Sequence, residues 1–184
     1  KQFKPAQERR SVHSIPVVGT SGTAYRSGRK GESLLAQLAL DLSGSASFTA
    51  SGRDWPVPTN YYPWSNMAAF YHGLDLYVSA SIIEGVGYGP LEALACGIPV
   101  VVPSHVGIFD DLPEMAGIYH YPAGNYGAFR AAVKRALADL SSVDPEALRA
   151  TTVRYTLDAW RADWLLAMAE LLSGESPRGQ LPEW

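Results

Sequence analysis

Two apolar runs, residues 74–79 and 98–102, bracket a glycine-rich turn with an acid at each end, Glu84-Gly-Val-Gly-Tyr-Gly-Pro-Leu-Glu92. That succession describes the mouth of an α/β sheet, where a strand ends, a loop turns and a helix begins. Gly85, Gly87 and Gly89 are unsuited to a helix interior, whereas Pro90 fits a first helical turn, where its missing N–H costs nothing. Residues 91–96 read as a short helix stopped by Gly97 and Pro99. Glu84 is therefore expected on the loop and Glu92 in the first turn of the helix.

Ligands of open α/β sheets bind at this edge. Glycines let a backbone approach a ligand closely, and a helix N-terminus offers unpaired N–H groups to an anion. Two carboxylates facing one cleft, with free amides between them, suit a ligand with hydroxyls at both ends and negative charge in the middle. A nucleotide diphosphate sugar has that shape. A glutamate in a first helical turn also stabilises the helix dipole with no ligand at all, and a glycine-rich turn can be only a tight turn. The ligand reading rests on the two acids and the turn together.

The rest of the chain alternates. Residues 14–19 read as a first strand, followed by a Gly/Ser/Thr loop to Gly28. Leu34, Leu35, Leu38 and Leu42 have helical spacing over 32–42. Strands are expected at 46–50, 57–62, 74–79, 98–102 and 117–121, with a short helix at 66–72. Phe129, Val133, Ala136, Leu137 and Leu140 mark one face of a helix over 126–140. Asp144 and Pro145 form a helix start as N-cap and first helical residue, with helices then running to about residue 172, interrupted near Asp158. The expected class is α/β, a Rossmann-like parallel sheet flanked by helices, with extra C-terminal helices. One domain is expected over 1–172, its C-terminal helices beginning at about 144, with a flexible tail over 173–184.

Composition narrows the function. The 184 residues are 47% hydrophobic and 18% charged, which fits a folded domain, and the net charge of −3 does not favour nucleic acid or anionic lipid. No apolar stretch reaches membrane-spanning length and no signal peptide is visible, so the chain reads as cytoplasmic. The single cysteine, Cys96, excludes an internal disulfide and reads as a small apolar residue. His13, His72, His105 and His120 lack metal-ligand spacing. His72 is expected to end a helix, His120 to lie in a strand, and His105 to follow a strand at the ligand edge. No P-loop, dinucleotide fingerprint or nucleophile elbow is present.

The segment 84–92 matches the E-x7-E motif of retaining GT-B glycosyltransferases, in particular the large family 4 group. Residues 71–79, Tyr-His-Gly-Leu-Asp-Leu-Tyr-Val-Ser, resemble that family's "Y-x-x-A-D-x-x-V-x-P-S" strand. Residues 92–101 resemble its "E-A-M-A-x-G-x-P-V-V", residues 28–31 its basic "R-K-G" turn, and Phe3-Lys-Pro5 the end of its interdomain linker. The resemblance covers about residues 3–140. It implies the C-terminal, donor-binding half of a two-domain enzyme, with the N-terminal acceptor domain absent from this chain. In the family the last helices cross back onto that domain, which would leave Trp160, Trp164 or Leu165 partly exposed here. Any association with a membrane surface would come through the missing half.

The resemblance also implies roles. Glu84 would meet the donor sugar's hydroxyls, and Glu92 both ribose hydroxyls. Backbone around Gly85, Val86, Gly87, Tyr88, Gly89 and Leu91 would hold sugar and phosphates. Lys30 would neutralise the diphosphate, and the base would sit near Asn60, Tyr61 and Tyr62. The implied donor is UDP- or GDP-linked, the implied chemistry retaining and free of bound metal. The chain departs from the pattern in places. The family's arginine upstream of the lysine is replaced around Thr23 and Ala24, leaving Arg26, or else Arg29, to supply that charge. Val86 stands for an aromatic residue, Gly89 holds the proline position, and Ile108 and Asp111 stand for a glycine and a glutamate. Besides transfer of a sugar to a sugar, lipid or small-molecule acceptor, a stand-alone nucleotide-sugar binding module, an epimerase-type enzyme and a regulatory domain remain open. The isolated domain is expected to be inactive.

Overall fold

The structure, a computed structural model, describes residues 3–4 and 13–173. Pro5 of the linker motif and the tail beyond residue 173 lie outside the described residues. Contacts divide the chain after Thr151 into two units.

The first unit is a parallel sheet of six strands, β1 (Val17–Thr23), β2 (Ser47–Arg53), β3 (Thr59–Asn60), β4 (Leu76–Val78), β5 (Val100–Ser104) and β6 (Ile118–Pro122). Their spatial order is β3-β2-β1-β4-β5-β6. The helices between them are α1 (Glu32–Asp41), α2 (Met67–His72) and α3 (Tyr88–Ala95), and α4 (Tyr126–Asp139) and α5 (Pro145–Ala150) follow β6. Covered strands need apolar side chains on both faces, and Leu76, Tyr77, Val78, Val100, Val101 and Val102 are all buried. Leu35 and Leu38 of α1 and Phe129, Val133 and Ala136 of α4 complete the core. Asp144 caps α5 by accepting from the Glu146 N–H at 3.0 Å, with Pro145 in its first turn.

Two strands run further than their residue types imply. The segment Thr20–Thr23, expected as loop, continues β1, because it pairs in register with β2 up to Thr23 opposite Arg53. A polar Gly/Ser/Thr segment has weak strand propensity, and the ladder to β2 overrides it. The β1–β4 ladder, in contrast, is confined to Val18–Leu76 and Gly19–Tyr77.

In the second unit, α6 (Leu157–Ser173) follows a single 3-10 turn at Val153–Tyr155. The interruption expected near Asp158 falls earlier, where the Thr156 hydroxyl accepts from the Ala159 N–H and starts the helix. Trp160 and Trp164 stack along α6 with centroids 6.0 Å apart. No helix among the described residues is long and apolar enough to cross a membrane.

Candidate functional site

The strand order reverses at β1, whose neighbours β2 and β4 lead the chain in opposite directions across the sheet. At such a point the connections leave on opposite faces and a crevice opens beyond the strand ends. A cleft of about 570 Å³ lies there. Its lining includes Ser21 and Thr23 of β1, Lys30 of the following loop, Arg53 at the end of β2, and Ser79, Ser81 and Glu84 beyond β4. The start of α3 contributes Val86, Gly87, Tyr88, Gly89, Pro90 and Glu92, and the region after β3 contributes Tyr61, Tyr62 and Trp64.

Gly31 sets the position of Lys30. It holds a left-handed φ of 69° at the N-cap of α1, and a Cβ there would lie 2.0 Å from the Ala80 carbonyl oxygen. The loop after β1 is thereby pressed onto the segment leaving β4, and the Ile82 N–H donates to the Arg29 carbonyl at 2.8 Å. Lys30 and Glu84, one on each segment, form an ion pair through Nζ and Oε1, and the Ser81 hydroxyl donates to the same carboxylate oxygen at 2.8 Å. Both side chains are mostly shielded, at 18% and 16% exposure, so the pair is screened less than one on an open surface.

The start of α3 is built for close approach. Gly87 is its N-cap, with φ of 83° and no side-chain cap. A Cβ on Gly87 would meet the Phe109 ring at 2.4 Å, and one on Gly89 would meet the Tyr77 hydroxyl at 2.2 Å. The helix begins at Tyr88, earlier than the expected residue 91, because the left-handed Gly87 turns the chain directly into helical geometry. Glu92 therefore sits in the second turn, not the first, and Pro90 remains within the first turn, where its missing N–H is an orphan in any case.

Glu92 is anchored from the neighbouring helix. The Tyr71 hydroxyl of α2 donates to its Oε2 at 2.6 Å. Ser21 Oγ lies 3.3 Å from the Tyr71 hydroxyl and 2.9 Å from that of Tyr77. Burial raises the Glu92 carboxyl above its ordinary value, and the Tyr71 bond pulls it partly back. The Tyr71 phenol is raised as well, first by burial and then by its tyrosine and glutamate neighbours, so it stays a donor.

Of the residues singled out from sequence, Lys30, Glu84, Glu92, Tyr61, Val86, Gly87, Tyr88 and Gly89 share the cleft. Leu91 is turned into the core, and Gly85 is not in the lining. Arg26 lines a second depression with Tyr25, Glu32 and Asp54. The Arg29 guanidinium lies 4.0 Å over the Tyr25 ring. The basic residue that sequence reasoning missed is Arg53, which lies in the cleft instead. Its signal was the register of β2 beside β1, which a polar segment does not advertise. His105 has a positive φ of 60° and is held by Asp110, whose carboxylate accepts from its N–H and bonds its ring Nδ1, each at 2.8 Å. Cys96 is buried, its thiol pushed up to about 12, so it does not serve as a thiolate nucleophile.

The six-stranded parallel sheet with its flanking helices is an α/β fold of the GT-B C-terminal type, with this crevice at its switch point. Residues 52–139, a little under half of the chain, match the family described as Glycosyl transferases group 1. A segment of 48 residues is 46% identical to the lipopolysaccharide core biosynthesis mannosyltransferase LpsB of Rhizobium meliloti, covering 26% of this chain and 13% of that protein. Among solved structures, the C-terminal domain of a group 1 glycosyl transferase family protein (LpcC) from Francisella tularensis aligns over 89% of this chain and 96% of its own, with TM-score 0.61 and 16% identity. Sucrose-phosphate synthase from Thermosynechococcus elongatus aligns over 88% of this chain with TM-score 0.75 and 19% identity, and the chain spans 47% of it, about half its length.

Proposed function

We propose that the chain is the donor-binding part of a retaining glycosyltransferase, which moves a sugar from a UDP- or GDP-sugar to an acceptor held by a further domain. The observation that carries this reading is the meeting of the Lys30–Glu84 pair and the Tyr71-anchored Glu92 in one crevice at the sheet's switch point. The uncapped start of α3 supports it, since its first-turn N–H groups have no side-chain cap and an anion suits that end of a helix.

Each group then has a task. Glu92 uses Oε2 for Tyr71, which leaves Oε1 to accept from ribose hydroxyls. The diphosphate draws Lys30 away from Glu84, and the released carboxylate turns to the donor sugar's hydroxyls. As the glycosidic bond to the diphosphate breaks, charge grows on the leaving phosphate, and a fixed ammonium beside it stabilises that charge more than the ground state. The leaving phosphate accepts the acceptor's proton on the same face, so no side-chain base is required. Tyr61 and Tyr62 offer ring surface for the base.

The test is calorimetric titration of the chain with UDP, GDP and ADP in parallel. Saturable binding of one of them, lost in Lys30→Ala, is the expected result. Absence of binding by all three would overturn the donor-site reading.

A further inference from the structure

The cleft's charges do not suffice for a diphosphate if Lys30 is its sole cation. Among the described residues lining it, the acids are Glu84 and Glu92 and the bases are Lys30 and Arg53. Lys30 is already shared with Glu84. Arg53 forms no ion pair among the described residues.

The backbone that carries Arg53 is fixed. The Ala24 N–H donates to the Arg53 carbonyl at 3.0 Å, and the Trp55 indole N–H donates to the Gly22 carbonyl at 2.9 Å. Gly52, with φ of 130°, packs so closely that a Cβ on it would lie 1.8 Å from the Gly22 oxygen. The ladder places Arg53 directly beside Thr23. Neighbouring strands are about 4.8 Å apart, and register partners face the same side of a sheet. An arginine side chain spans such a gap. The end of β2 thus supplies the cleft with a cation on a backbone held at both strands.

We propose that Arg53 is the second cation of the diphosphate site and works with Lys30 to hold the two phosphates of the nucleotide. The proposal rests on the donor-site reading above. A guanidinium suits the task because its planar fork meets phosphate oxygens in pairs, while an ammonium acts as a point charge. Lys30, drawn off Glu84, then serves the phosphate nearer the sugar, and Arg53 the phosphate nearer the ribose.

The experiment titrates the full chain and its Arg53→Ala and Arg53→Gln variants with UDP and GDP. Whichever binds the parent is then compared with its own monophosphate and nucleoside. The expected result is a loss of about tenfold or more in diphosphate affinity in both variants, a smaller loss for the monophosphate and no change for the nucleoside. Arg53→Lys should recover part of the loss, and the salt dependence of diphosphate binding should become shallower in Arg53→Ala. Equal losses for diphosphate and nucleoside would make Arg53 a base contact and overturn the proposal. So would unchanged diphosphate affinity in variants that keep the parent's thermal transition. If the parent binds neither diphosphate, the donor-site reading itself fails; if the parent binds and only Lys30→Ala loses binding, that reading stands and the role of Arg53 falls.

Discussion

Tyr71 and Glu92 meet at 2.6 Å across the packing of α2 on α3, the buried phenol donating to a carboxylate that lines the cleft. Desolvation makes such a contact asymmetric. A made bond to a charged acceptor contributes modestly, whereas a partly buried carboxylate stripped of its donor keeps its desolvation cost. The bond also fixes which oxygen of Glu92 remains for a ligand, so α2 positions the site without lining the cleft at Tyr71 itself.

Tyr71→Phe is the direct test of that anchor. The ring stays in its aromatic cluster with Phe70, Tyr77 and Phe3, so packing is kept and one hydroxyl is lost. Stability should fall by about 1–2 kcal/mol, read from the urea midpoint at unchanged m-value. Nucleotide affinity should fall by several-fold as Glu92 gains freedom. A variant as stable as the parent would show that the bond does not hold Glu92 in solution.

The raised carboxyl of Glu92 makes a prediction about pH. Its folded pKa lies above the ordinary 4.5, chiefly because burial disfavours the charged form. For such a group the folded state holds the proton more tightly than the unfolded state, so its contribution is complete below the unfolded value and is lost as pH rises through the folded one. Glu92→Gln removes the titration. The stability of the parent relative to Glu92→Gln should therefore decline from pH 4.5 upward, and the difference should level off once Glu92 is ionised in both states. Urea titrations at a series of pH values check this, and a flat difference would contradict it.

Much of this was legible in the sequence, for physical reasons particular to each element. The runs at 74–79 and 98–102 announce strands covered on both faces; β4 lies within the first, and β5 begins in the second and continues to Ser104. Asp144-Pro145 announces a helix start through one cap and one missing donor, and α5 starts there. The ends of β1 and β2 were not legible, since Ser21-Gly22-Thr23 and Ser51-Gly52-Arg53 have turn-like composition and become strand through pairing with each other. That hid Arg53. The Tyr71–Glu92 bond was hidden too, because nothing in two residues 21 positions apart shows that their helices pack together.

The two outer glycines of the Gly85-Val-Gly87 segment separate conformational need from composition. Gly87 has φ of 83° and a Cβ there would strike the buried Phe109 ring at 2.4 Å, while a Cβ on Gly85 meets nothing within 4 Å. Gly87→Ala should cost about 2–4 kcal/mol, from left-handed backbone strain and overpacking together. Gly85→Ala should change stability by less than about 1 kcal/mol. Urea denaturation of both variants decides it, and similar costs at the two positions would mean that the turn adopts another conformation in solution.

The Lys30–Glu84 pair makes a prediction opposite in sign to the usual loss on mutation. If a diphosphate must draw Lys30 off Glu84, the carboxylate competes with the nucleotide. Glu84→Gln removes that competition, keeps the side chain's shape and leaves the ammonium free. An ion pair of this kind contributes up to about 1 kcal/mol, so a nucleoside diphosphate without a sugar should bind about two- to fivefold more tightly to Glu84→Gln than to the parent. The gain should shrink as salt screens the pair. The same substitution in a complete enzyme should lower the rate of sugar transfer, because the hydroxyl acceptor is weakened. Calorimetric titration at low and high salt checks the first part. Weaker diphosphate binding in Glu84→Gln would mean that Glu84 holds Lys30 in place for the phosphate instead of competing for it.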